Sequence, residues 1–170
     1  MLLFYLVVPI HQFLTIVSFY LDEILFPAYR KQVVVAPVFI VGNFRCGSTL
    51  LQRLLARDPE HFTSMNVTEI YIAPTITQRK FWELVGWLDK VLVGGRGRKW
   101  IENRDRKWLD SIQMHKVGLF TPEEDEGLLI TIWSTMFLQF VFPVMGELPP
   151  FDQFDEKMPA RQRQRIMGFY

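Results

Sequence analysis

Two long stretches without Asp, Glu, Lys or Arg frame this chain, Leu2 to Leu21 and Gly127 to Met145. The first predicts an apolar helix over residues 2–26, stopped at Phe26-Pro27 because a residue before proline is pushed out of the helical region. Its length is enough to span a bilayer. Pro9, His11, Gln12, Thr15 and Ser18 interrupt it. Its start lacks the positive charge and small-residue cleavage site of a signal peptide. It reads as a hydrophobic helix that packs on the domain or associates with a membrane. If it crosses, Arg30 and Lys31 put its C-terminal side in the cytoplasm.

The pattern then changes period. Val33 to Val41 is a continuous β-branched and apolar run, as expected of a strand buried on both faces of a parallel sheet. Gly42 to Gly47 reads as a loop. Ser48 to about Arg57 reads as a helix, with Leu50, Leu51, Leu54 and Leu55 on one face and Gln52, Arg53 and Arg57 elsewhere. Asp58-Pro59 ends it. Residues 60–77 read as irregular, with a short extended piece at 69–72. A helix is predicted over 79–92, with Phe81, Leu84, Val85 and Leu88 on one side.

Gly94-Gly95-Arg96-Gly97-Arg98 reads as a flexible basic loop before a polar helix over about 99–114. Thr121-Pro122-Glu123-Glu124 reads as a helix start: Thr121 caps, Pro122 suits the first position, and Glu124 closes a capping box. The acidic run Glu123-Glu124-Asp125-Glu126 also offsets the helix dipole. The uncharged stretch after it is expected to be a buried core helix broken by Pro143. A last polar helix begins at Arg161-Gln162-Arg163-Gln164-Arg165.

Composition narrows the chemistry. A chain of 170 residues fits one domain with a sizeable core. Apolar content of 49% with 15% aromatic is high for a soluble domain. A net charge of +1 leaves no basic footprint for nucleic acid. The single cysteine, Cys46, excludes an internal disulfide. Together with His11, His61 and His115 it makes no zinc spacing, so no metal is expected.

The chemistry concentrates in one place. Gly42 and Gly47 have the G-x-x-x-x-G spacing of a phosphate-cradling loop, between a predicted strand and a helix. The lysine of a nucleotide triphosphatase is missing after the second Gly; Ser48 stands there, and the cation is Arg45 inside the loop. Backbone N–H groups of residues 45–49 would meet an anion at the positive end of the helix. Arg45 would add a planar fork, and Ser48 and Thr49 their hydroxyls.

The run Val38-Phe39-Ile40-Val41-Gly42-Asn43-Phe44-Arg45-Cys46-Gly47-Ser48-Thr49-Leu50-Leu51 resembles the 5′-phosphosulfate-binding loop of the sulfotransferase family. That loop typically reads Pro-Arg-Ser-Gly-Thr-Thr-Leu-Leu after a strand. Arg45, Gly47 and Thr49 match, while Phe44, Cys46 and Ser48 depart from it. The resemblance, closest to the bacterial-type branch, implies an α/β, P-loop-like three-layer sulfotransferase fold carrying a hydrophobic N-terminal helix. It implies residues 1–30 as that helix and 31–170 as the N-terminal part of a sulfotransferase domain.

The implied donor is 3′-phosphoadenylyl sulfate (PAPS), held by Arg45, Cys46, Gly47, Ser48 and Thr49, with Cys46 contributing its backbone N–H. The implied reaction transfers a sulfuryl group to an acceptor hydroxyl or amine, with no metal. Some branches place a glutamate base about twenty residues past the loop, which implies Glu69 here; His115 is the rival. The acidic run resembles a Pro-x-Glu-Asp-Glu pattern of the same branch. The family's 3′-phosphate-binding segment has no counterpart, so the resemblance covers an incomplete fold, and these 170 residues are expected to bind the donor weakly on their own.

The acceptor class stays open between a small molecule, a lipid and a carbohydrate. A membrane surface is a further partner, and nucleic acid is not. The expected location is the cytoplasm or the cytoplasmic side of a membrane. Two other readings of the residues are a P-loop kinase or nucleotide triphosphatase, and a small non-enzymatic membrane protein.

Overall fold

A computed structural model describes residues 2–42, 46–111, 118–135, 138 and 151–169. The chain divides into two compact units, residues 1–124 and 125–170. The first unit contains helix α1 (Leu2–Leu25), helix α2 (Ser48–Leu55), helix α3 (Ile76–Val93) and helix α4 (Arg96–Ser111). Two short strands, β1 (Met65–Asn66) and β2 (Pro122–Glu123), pair antiparallel, with Met65 opposite Glu123 and Asn66 opposite Pro122.

The centre of this unit lies where α1 meets the start of α3. Ile70 and Ala73 are buried there, beside Thr15, Ser18, Asp22 and Thr75. Thr75 caps α3 by accepting from Gln78 N, and the Gln78 side chain returns to the Thr75 backbone. Asp22 of α1 adds a second cap: its carboxylate accepts from Ile76 N and Thr77 N, each at 2.7 Å, and from Thr77 Oγ1. A buried carboxylate is tolerated when hydrogen bonds and a helix N-terminus compensate its lost hydration.

Gln78 Nε2 donates to Thr15 Oγ1 at 3.0 Å, and His11 Nε2 donates to Ile72 O at 3.0 Å. Thr15, Ser18 and Asp22, three and four positions apart, therefore share a buried seam, with half-buried His11 one turn before them. Tyr5, Leu6, Ile10, Phe13, Tyr20 and Ile24 are left outside.

Several expectations are corrected. Residues 33–41 form no ladder and, apart from half-buried Ile40, are exposed, with Val35 at 83% and Val41 at 92%. A central strand needs a hydrogen-bonded neighbour on each edge and cover on both faces, and the described residues supply only the β1–β2 pair. For the same reason α2 exposes Leu50, Leu51 and Leu54, the face expected to be buried.

The piece at 69–72 lies within a π-helical turn, Thr68–Ile72, and is not extended. The basic loop is shorter than expected: Gly94 and Gly95 turn the corner, and α4 begins at Arg96 because Asp89 accepts from Gly97 N and Arg98 N. Thr121 to Glu124 starts no helix. Pro122 and Glu123 pair with β1, and Thr121 Oγ1 bonds within its own turn to Gly118.

The second unit contains a 3-10 helix (Asp125–Ile132) and helix α5 (Ala160–Phe169), and Thr131, Thr135, Leu138, Met158 and Ile166 are buried. Thr135 Oγ1 donates to Glu126 at 3.0 Å. Arg163 donates to Asp155 O at 2.9 Å. The expected core helix over 127–145 is thus a 3-10 turn at its start; residues 136–137 and 139–150 lie outside the described ones.

Candidate functional site

The two glycines of the loop do different work. A Cβ on Gly42 would overlap Cys46 Sγ, so glycine lets the two sides of the loop meet without moving that side chain. Gly47 has φ +91° and ψ 13°, the left-handed region, and stands directly before α2. It offers no side-chain cap. Among the described residues, no acceptor meets the N–H groups of Ser48, Thr49 and Leu50; the first helical bond is Leu51 N to Gly47 O at 3.1 Å. Those N–H groups carry the positive end of the helix dipole, and Ser48 and Thr49 are half-buried. The end of α2 is thus open to an anionic oxygen.

The polar side of α2 rests on β2. Thr49 Oγ1 donates to Glu124 Oε1 at 2.8 Å, and Gln52 Nε2 donates to Glu123 O at 2.6 Å. Arg53 Nη2 lies 3.9 Å from Glu123 Oε2. Gln52 Oε1 is buried without a hydrogen-bond partner among the described residues. These contacts fix α2 on its amide and carboxylate side and leave its leucines outward.

Glu69 sits one turn past β1. Its Oε2 accepts from Asn66 N at 2.8 Å, and its own N–H donates to Asn66 Oδ1 at 3.0 Å. The Thr68 backbone and hydroxyl both donate to Leu119 O, at 3.0 and 2.7 Å. The Glu69 carboxylate is therefore held by its own turn, with Oε1 unpaired among the described residues. The β1–β2 pair links the two candidate groups: β2 and the residue after it hold α2, and β1 leads into the Glu69 turn.

Cys46 is a free, exposed thiol. Arg45 and His115 lie outside the described residues. A shallow cleft of about 270 Å³ lies between α4 and Leu119, lined by Trp100, Ile101, Arg104 and Asp105.

Gln52, Glu123 and Glu124 enter the site although the residue pattern assigned them to a helix flank and a capping box. Nothing local announces contacts between residues 71 and 75 positions apart. The one available signal was the density of acid after Pro122.

A family model described as "Sulfotransferase family" matches residues 37–164, about three quarters of the chain. No curated protein and no solved structure matches it.

Proposed function

This chain belongs to the sulfotransferase family, and we propose that it transfers a sulfuryl group from 3′-phosphoadenylyl sulfate to an acceptor hydroxyl or amine. The observation that carries the choice of donor is the start of α2. Gly47 leaves an uncapped helix end, and the loop before it closes Gly42 onto Cys46. A phosphosulfate group supplies an activated sulfuryl and fits such donors, because its oxygens accept from backbone N–H without needing a lysine or a metal.

In this reading Arg45 adds a guanidinium fork, and the N–H groups of residues 46–49 with the Ser48 hydroxyl complete the cradle. The Thr49 hydroxyl is already committed to Glu124, so Thr49 contributes through its backbone. Glu69 Oε1 takes the acceptor's proton as the acceptor oxygen bonds to sulfur and the bond from sulfur to the 5′-phosphate oxygen breaks. Asn66 holds the other carboxylate oxygen and so aims the base. His115 is the alternative base.

A P-loop-like three-layer sheet is the architecture that would cover the exposed run 33–41 and the leucine face of α2 together. The assigned groups grip only the 5′ side of the donor, so donor affinity of these 170 residues alone is weak. If α1 crosses a membrane, Arg30 and Lys31 just beyond it favour the cytoplasm for its C-terminal side.

The test compares two reactions on one preparation. Radiolabelled sulfate moving from the donor to an acceptor pool, without added metal, is the expected result. ATP hydrolysis that requires Mg²⁺, with no sulfate transfer, would assign the loop to a phosphoryl-transfer enzyme instead.

A further inference from the structure

Helix α1 has the reverse of the polarity expected for a helix packed on a soluble core. Its inward seam contains half-buried His11 and buried Thr15, Ser18 and Asp22, and its exposed surface contains Leu6, Ile10, Phe13, Val17, Tyr20 and Ile24. In water that arrangement leaves large side chains hydrated along the whole helix, and the hydrophobic effect opposes it in proportion to the apolar area left unburied. An environment of hydrocarbon removes the cost. Tyr5–Leu25 is also long and apolar enough to cross a membrane, so the outward face matches lipid in length as well as in character.

The seam decides how the helix meets lipid. Asp22 is bonded to the N-terminus of α3, Thr15 to Gln78, and His11 to Ile72. Helix α3 bears Arg79, Lys80, Glu83, Asp89 and Lys90, with Lys80 and Glu83 exposed as an ion pair at 2.8 Å. An upright α1 in the bilayer would either tear its polar seam from α3 or draw those charges into hydrocarbon, and both are costly. A helix lying in the interface plane does neither.

Helix α3 adds a stripe of its own, Phe81, Leu84, Leu88 and Val91, all exposed. Just past its end stand exposed Arg96, Lys99 and Trp100. Basic side chains beside tryptophan suit an anionic headgroup layer.

We propose that α1 is an in-plane membrane anchor, keyed to the domain through His11, Thr15 and Asp22, that buries its outward face in an anionic lipid surface. The polar residues that spoil this helix as a span are the ones that lock it to the protein. The proposal is independent of which group the loop at 42–49 transfers.

Flotation with phosphatidylcholine–phosphatidylglycerol vesicles (about 3:1) tests it. The wild-type chain is expected to float. Phe13→Asp combined with Val17→Asp, both at exposed positions, is expected to lower the bound fraction tenfold or more with an unchanged unfolding midpoint. Wild-type protein that stays in the aqueous fraction, or a double variant that still floats, would overturn the proposal.

Orientation is read from nitroxide labels on Leu6→Cys, Phe13→Cys and Ile24→Cys in a Cys46→Ser background, three exposed positions of the outward face. Collision with oxygen and with a water-soluble nickel chelate is expected to put all three at one shallow depth. Phe13 deep in the bilayer with Leu6 and Ile24 near its two surfaces would show a span and overturn the in-plane arrangement.

Discussion

Thr49 Oγ1 donates to Glu124 Oε1 at 2.8 Å, tying the first turn of α2 to a carboxylate 75 positions further along the chain. The bond places a negative charge one hydroxyl away from a helix end that is otherwise open to anions. Glu124→Gln keeps an acceptor for Thr49 and removes the charge. Affinity for adenosine 3′,5′-bisphosphate is expected to rise a few-fold, because like charge near the bound anion is removed. Glu124→Ala also loses the bond and is expected to cost about 1 kcal/mol. Calorimetric titration reads the first effect and a urea midpoint the second.

The two loop glycines separate in a double-mutant cycle. Gly42→Ala places its methyl against Cys46 Sγ, which can turn away at a cost of about 1 kcal/mol. Adding Cys46→Ala removes the sulfur and leaves an ordinary 3.5 Å contact to the Cβ, so stability is expected to return. Gly47→Ala is strained by its φ of +91° whatever its surroundings and is expected to cost about 1–2 kcal/mol, with no rescue from Cys46→Ala. Thermal unfolding of the six proteins, wild type, the three single variants and the two double variants, measures the coupling.

Asp22 is 5% exposed and satisfies two backbone N–H groups and one hydroxyl at the start of α3. Asp22→Ala is expected to destabilise by about 3 kcal/mol, since a cap and buried charge-assisted bonds are lost together. Asp22→Asn, which keeps one acceptor oxygen, is expected to lose less. Hydrogen exchange at Ile76 and Thr77 should accelerate in both variants.

Glu69→Gln separates catalysis from folding. Its amide oxygen can still accept from Asn66 N–H, so the turn and the unfolding midpoint are expected to stay within about 0.5 kcal/mol of wild type. Sulfuryl transfer is expected to fall by roughly 10²- to 10⁴-fold, the usual weight of a general base. Transfer at the wild-type rate would move the base to another residue, with His115 the first to test.

The helices were readable where the local signal was strong. Residues 2–25, 48–55, 76–93 and 160–169 form helices close to their predicted bounds, because apolar periodicity and Pro or Gly stops are local features. The faces of two of these helices were not readable. The polar residues of α1 and the Gln52–Arg53 side of α2 pack inward because their partners, Gln78, Glu123 and the α3 N-terminus, come from distant sequence.

The strand over 33–41 failed on the same principle. A β-branched run states a preference, but strand neighbours decide the outcome. At the loop, Gly42, Gly47 and the start of α2 were legible from spacing alone. Glu124 was not, since its capping pattern was overridden when Pro122 and Glu123 paired with β1.

The loop from Gly42 to Thr49 is proposed to bind a phosphosulfate donor through Arg45 and the open end of α2. Its most direct test is transfer of radiolabelled sulfate from 3′-phosphoadenylyl sulfate by protein carrying these 170 residues, wild type against Arg45→Ala. A fall of roughly 10²-fold or more is expected for Arg45→Ala, the effect of removing one preorganised electrostatic donor, with the fold intact by circular dichroism. Transfer by Arg45→Ala at the wild-type rate would contradict it.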